Sequence, residues 1–181
     1  MKAIIVRAIA DLVKEKFGRD KWEEILEKSG YPKGYYFLTS QDIDDGKVMG
    51  IIGSTCEVLN APLDKVIDLF GIYWVSIFAP KFYTDLFKKF TSARDMLTKM
   101  NSIHTMIVQN TVNARPPAIE YNWQDKNTLI MTYKSERGLI DLFVALIKGV
   151  GVYFKENIEV SKVDERNVKV VFPQPQQQPG F

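Results

Sequence analysis

The apolar residues of this chain change their period at Pro116-Pro117, and this switch limits the fold more than any other feature. Before it they recur three and four apart, as on amphipathic helices. After it they alternate in short runs divided by polar turn pairs, as in strands. In the first part, Ile4, Ile5, Ala8, Ile9, Leu12, Val13 and Phe17 form one stripe ending at Gly18. Residues 20–28 predict a second helix with Trp22, Ile25 and Leu26 on one side, stopping before Gly30 and Pro32. Residues 31–37 are aromatic and turn-like. Ser40 is expected to cap a third helix that ends near Asn60, with Asp42, Asp44 and Asp45 in its first turns, where the helix dipole favours acids. Pro62 opens a fourth helix to about Phe70, with Gly71 as its C-cap. Further helical stretches follow, one of them over residues 92–109.

Beyond the prolines, residues 118–124 and 127–134 read as strands around Asp125-Lys126. Residues 138–154 read as a helix with Leu139, Leu142, Phe143, Leu146 and Ile147 on one face. Residues 158–163 and 168–172 form a second hairpin around Glu165-Arg166. A helical half followed by strand-strand-helix-strand-strand predicts an α+β fold with a small antiparallel sheet. The length suits one domain over residues 1–172, or two closely packed subdomains. The Pro- and Gln-rich tail, residues 173–181, is expected to be disordered.

Composition removes several function classes. The formal net charge is +2 and no basic stripe stands out, so a nucleic-acid role lacks electrostatic support. The single cysteine, Cys56, excludes an internal disulfide framework and multi-cysteine zinc or iron–sulfur sites, and it fits a reducing compartment. The opening residues meet charges too soon for a secretory signal, and no apolar run approaches membrane-spanning length. A cytoplasmic protein with no membrane partner is the expectation.

Two features carry chemistry. The first is His104, the only histidine, on a helix face with Leu97, Met100, Ile107 and Val108. No acid lies within four residues to polarise its ring, which argues against a hydrolytic triad. By itself it suits either a core histidine bonded to backbone or a metal ligand, and one imidazole in an apolar pocket is enough for five-coordinate haem. The second is Tyr133-Lys134-Ser135-Glu136-Arg137. On a strand Tyr133, Ser135 and Arg137 project from one face, a donor set suited to carboxylates. The bland alternative is a solvated strand end with an incidental arginine. Taken together, the two features read as halves of a haem site: an axial ligand and a propionate clamp.

With these residues in view, the sequence resembles the haem nitric oxide/oxygen-binding (H-NOX) family, related to the sensor domain of soluble guanylate cyclase. The resemblance rests on His104, on Pro117 thirteen residues later, and on Tyr133-x-Ser135-x-Arg137. It extends to residues 1–6, to Asp42-Ile43-Asp44-Asp45 and to residues 70–75, and so covers the chain to about Phe172. It implies protohaem IX (haem b) held between a distal helical subdomain (residues 1–62) and a proximal subdomain with a four-stranded sheet (residues 63–172). His104 would be the iron ligand, and Tyr133, Ser135 and Arg137 the propionate clamp. Pro117 would press on the haem and help bend it, with Ile5 and Leu146 as flanking contacts. Asp45 would pair with Arg137 and couple the two halves. The distal tyrosine of oxygen-binding members matches Leu142, and its polar supporters match Ile9 and Trp74. Trp74 carries an indole donor, but packing mass is its favoured role.

The expectation is therefore a haem-based sensor of nitric oxide and carbon monoxide that excludes oxygen and is not an enzyme. It would signal by release of His104 to a separate protein. Among family partners these are histidine kinases or cyclic-di-nucleotide enzymes, with a chemotaxis-type receptor as a further option. Two alternatives stay open. One is a haem enzyme, a peroxidase or nitric oxide dioxygenase, for which Tyr73 and Tyr83 are the modest distal candidates. The other is a non-haem module for an apolar ligand with a carboxylate, such as a fatty acid. Cys56 reads as a structural thiol, and Met100 as a core residue near the site.

Overall fold

The computed structural model describes residues 1–111 and 114–173, so residues 174–181 of the expected tail lie outside the described residues. Nine α-helices and four strands are described: α1 (Ile4–Phe17), α2 (Arg19–Lys28), α3 (Asp45–Leu59), α4 (Leu63–Tyr73), α5 (Ala79–Phe82), α6 (Thr84–Phe87), α7 (Ala93–Thr98), α8 (Met100–Asn110), β1 (Ala118–Trp123), β2 (Thr128–Lys134), α9 (Ile140–Phe154), β3 (Glu159–Lys162) and β4 (Asn167–Val171). A π-helical turn, Trp74–Phe78, joins α4 to α5. The strands form one antiparallel sheet in the order β1-β2-β4-β3, so the two hairpins lie side by side with α9 as their connection. The α+β order is the one the change of period requires.

Three local expectations are corrected. Ser40 does not cap α3. Residues 41–43 pair instead with the first residues of the chain: Ala3 N–H donates to Gln41 O at 2.9 Å and Ile43 N–H to Met1 O at 2.8 Å. The helix starts only after that pairing, with the Asp44 carboxylate accepting from Gly46 and Lys47 N–H at 2.9 and 3.2 Å. Gly71 does not end α4, which runs on to Tyr73. It lacks a cap's left-handed backbone and is buried where α4 crosses α9; a Cβ there would lie 2.5 Å from Ala145 Cβ. The helix expected over residues 92–109 breaks at Lys99 into α7 and α8, so Leu97 lies on a different helix from His104.

Buried residues fall into two cores. The first joins α1, α2 and α3 with Phe37, Phe70, Tyr73 and Phe78. The second joins the inner face of the sheet with α7, α9, Ile103 of α8, Val75 and Phe87. The π-helical turn serves both, with Phe78 in the first and Val75 in the second, and Trp74 packs against each. Among the described residues no helix is long and apolar enough to cross a membrane.

Candidate haem site

His104 sits on the second core's side, half-buried in α8. Its Nδ1 lies 2.8 Å from Pro117 O. A carbonyl can only accept, so Nδ1 carries the proton and Nε2 keeps its lone pair. Burial lowers the His104 pKa below the ordinary histidine value, opposed by the bond to Pro117. The ring is thus a neutral imidazole with its ligating nitrogen available, the form a metal requires. No group of three His, Cys, Asp or Glu side chains is placed to hold a metal ion among the described residues.

The clamp residues are arranged differently from the strand pattern expected. β2 ends at Lys134, and only Tyr133 belongs to its buried face, tilted against Phe143 at 5.3 Å. Ser135 and Arg137 lie in the turn that follows, where Ser135 Oγ accepts from Arg137 N–H at 3.3 Å. The three side chains therefore do not share one strand face, because the strand stops before the second of them. Gly138 completes the turn with φ +62°, which favours glycine. The Arg137 guanidinium donates from Nε to Asp45 Oδ2 at 2.9 Å and from Nη1 to Arg115 O at 2.8 Å. Asp45 in turn accepts from the Met1 ammonium at 2.5 Å. That ammonium first, and Arg137 second, hold the Asp45 carboxyl below the usual carboxylate range. The structure thus ties the start of α3 to the clamp turn.

Ile5, Ile9 and Leu142 meet at an apolar cavity of about 60 Å³ between α1, α3, α4 and the start of α9. Thr55 is the only polar side chain lining it, and its hydroxyl donates to Ile51 O at 2.8 Å. His104, Pro117, Tyr133, Ser135, Arg137, Leu146 and Trp74 do not line it. Trp74 instead stands in an aromatic row, 5.9 Å from Phe70 and 5.4 Å from Phe78. Leu146 packs on the second core together with Met100, Met106 and Ile107 of α8, and Leu139 belongs to both that core and the cavity lining. Tyr73 donates to Glu15 at 2.9 Å, and burial and Glu15 together raise its pKa. Tyr83 packs against the second core, and burial raises its pKa also.

Sequence reasoning missed Asn101. Its side-chain amide donates to Ile119 O at 2.7 Å and accepts from Ile119 N–H at 3.0 Å. The available signal was a lone amide three residues before His104, on a face otherwise read as apolar.

A neutral imidazole and a guanidinium turn are donors of the kind that the iron and the carboxylates of haem take, and the cavity beside Ile5, Ile9 and Leu142, which neither donor lines, adds an apolar wall. These are the features of a haem-binding domain. The Haem-NO-binding family model matches residues 2–162, and the chain belongs to that family. Its cofactor is haem and its domain class is haem-based gas sensing. The chain is 23% identical over 166 residues to soluble guanylate cyclase gcy-35 of Caenorhabditis elegans, covering 90% of this chain and 24% of that protein. Soluble guanylate cyclase gcy-34 of the same organism is 24% identical over 154 residues, covering 83% and 22%. The chain thus spans about a quarter of the length of these relatives. Among solved structures, an H-NOX protein from S. oneidensis in the Fe(II)NO ligation state matches with TM-score 0.84 at 22% identity, over 97% of this chain and 100% of that one. An oxygen-binding H-NOX domain related to soluble guanylate cyclases matches with TM-score 0.80 at 23% identity, over the whole of both chains. The α+β fold is therefore that of H-NOX domains, and it is common to proteins described with different gases.

Proposed function

We propose that this chain is a nitric oxide sensor, with carbon monoxide as a second ligand, that disfavours oxygen and reports by releasing His104. The observation that carries this reading is the cavity lining: its one hydroxyl, on Thr55, is committed to a backbone carbonyl. Bound oxygen is polarised and gains from a donor, whereas nitric oxide and carbon monoxide depend on one much less. Haem b, when bound, supplies the iron at which the gas is held. His104 would ligate that iron through Nε2, while Arg137, Ser135 and Tyr133 would take the propionates. Pro117, Ile5 and Leu146 would be its apolar contacts, with Ile9 and Leu142 on the gas side.

The protein's own moving part is His104. Its Nδ1–H bond to Pro117 links the ring to the segment entering β1, so a displaced ring pulls on that segment. Arg137 holds the carbonyl of Arg115 in the same segment and the carboxylate of Asp45 on α3, so the pull can pass from the sheet half to the helical half. In this reading residues 1–62 act as the distal subdomain and residues 63–172 as the proximal one. The signal leaves through a surface to a separate cytoplasmic protein, a histidine kinase or a cyclic-di-nucleotide enzyme. A haem enzyme would need a distal acid–base group. Of the two candidates, Tyr73 has its hydroxyl committed to Glu15 at 2.9 Å, which favours a sensor over catalysis.

The test is the visible spectrum of the anaerobically reduced protein, before and after nitric oxide and then in air. A Soret band of five-coordinate histidine haem that moves with nitric oxide, with no stable oxygen complex, is expected. A stable oxygen complex would overturn the gas assignment, and no Soret band after reconstitution would overturn the haem reading. His104→Gly should lose the response and regain it with added imidazole. A fatty-acid module would bind its ligand regardless of that change.

A further inference from the structure

We infer that Asn101 is a positioning residue for His104: it pins the first turn of α8 to the open edge of β1 and so fixes the reach of the imidazole. The inference rests on His104 being the iron ligand. Ile119 stands opposite Tyr133 in the β1–β2 register. The Tyr133 N–H donates to Arg166 O at 2.7 Å, away from β1. Ile119 and Tyr133 are therefore a pair that exchanges no hydrogen bonds, and the N–H and C=O of Ile119 face the outer edge of the sheet. The Asn101 amide satisfies both, with contacts of 2.7 and 3.0 Å, and acts as one residue of the strand that β1 lacks on that side. One turn of α8 later, His104 bonds to Pro117 O at 2.8 Å, two residues before Ile119.

The ligand's helix is thus fastened twice to the same short stretch of backbone. A helix held at one point can swing about it; a second point removes that freedom. The His104–Pro117 bond sets which way the ring faces. The Asn101–Ile119 pair sets where the helix that carries it stands. Only a primary amide serves both Ile119 groups, because an aspartate would turn a second acceptor toward the Ile119 carbonyl. Tyr121, two residues along β1, brings its buried hydroxyl beside the backbone of Met100 and Asn101, so the first turn of α8 and β1 meet over more than this one side chain. That contact gives the variants below a folded frame.

The experiment compares the full chain with Asn101→Ala and Asn101→Asp, haem-loaded and haem-free. In the loaded protein the iron–histidine stretching band and the rate of His104 release under nitric oxide are read. Both variants should shift the band to lower frequency and release His104 on the order of tenfold faster, the scale at which groups behind a metal ligand usually act. In the haem-free protein the Ile119 amide should exchange faster in Asn101→Ala but stay protected in Asn101→Asp, which keeps the acceptor. An unchanged band and release rate in Asn101→Asp would overturn the inference, and should Asn101→Ala not fold, Asn101→Asp alone decides. A wild-type protein with no iron–histidine band would instead defeat the ligand role of His104, a distinct failure.

Discussion

Gly71→Ala should destabilise the protein, although alanine is the better helix former. An added Cβ at position 71 would lie 2.5 Å from Ala145 Cβ, 2.7 Å from Ala145 C and 2.9 Å from Leu146 N. Carbon atoms in contact prefer about 3.5–4.0 Å, so α4 and α9 must part by roughly 1 Å. Two of the three obstructing atoms are backbone, which no rotamer change can move. The crossing is equally tight from the other side, where a Cβ on Gly149 would meet Gly71 O at 2.8 Å. Overpacking costs about 1–3 kcal/mol, and a backbone clash belongs at the upper end. Alanine returns about 1 kcal/mol of helix propensity, leaving a net loss of about 2 kcal/mol. For a chain of this size that is a fall of roughly 4–8 °C in Tm. Urea unfolding of the haem-free protein measures it. Gly50→Ala in α3 is the control: a Cβ there meets nothing within 4 Å, so it should stabilise by about 0.5–1 kcal/mol. If Gly71→Ala matches or exceeds the wild type while the control behaves, the close-crossing argument is refuted.

Leu142→Tyr should place a hydroxyl at the cavity and give the reduced protein a longer-lived oxygen complex in air; an unchanged spectrum would mean that something other than the apolar lining excludes oxygen. Asp45→Asn should flatten the acid side of the stability profile. The Asp45 carboxyl is held below its ordinary range by the Met1 ammonium and Arg137. Its contribution is therefore complete above an unfolded pKa of about 3.9 and is lost as the pH falls through the lower folded value. Because Asp45 is half-exposed, the difference should be only about 0.2–1 kcal/mol, seen as converging urea midpoints of the two proteins below about pH 4. Parallel profiles would mean that the link adds nothing.

Where local pattern decides structure, the sequence was a good guide. All four described strands follow Pro116-Pro117, and the one described helix beyond it, α9, keeps the helical period, because each period buries one face. Where a distant segment decides, it was not. A glycine after an apolar stripe looks the same whether it ends a helix or lies under another one, and Gly71 does the second because Ala145 arrives there from α9. Ser40 is a good cap by type, but backbone pairing with residues 1–3 claims the segment and passes the cap to Asp44. The donor array after Tyr133 alternates as a strand would, yet the turn at Ser135 ends the alternation. Asp45 and Arg137 stand 92 residues apart, a pairing that family resemblance could suggest and spacing could not.

These long-range contacts bear on how a site built in two halves can work as one. Ile9 and Leu142, the proposed gas-side residues, belong to the first core, and His104 belongs to a helix packed on the second. α9 serves both within one turn: Leu142 lines the cavity and Leu146 packs on the second core. The same helix is locked against α4 at Gly71, and α4 carries Phe70 to the cavity wall. α9 therefore cannot move alone, because its close crossing at Gly71 would carry α4 with it. Asp45 and Arg137, half-exposed and polar, are the softer link and can break without a cavity opening. The tight apolar crossing of α4 with α9 and the exposed polar tie of α3 to the turn after β2 thus give the molecule one stiff contact and one yielding one.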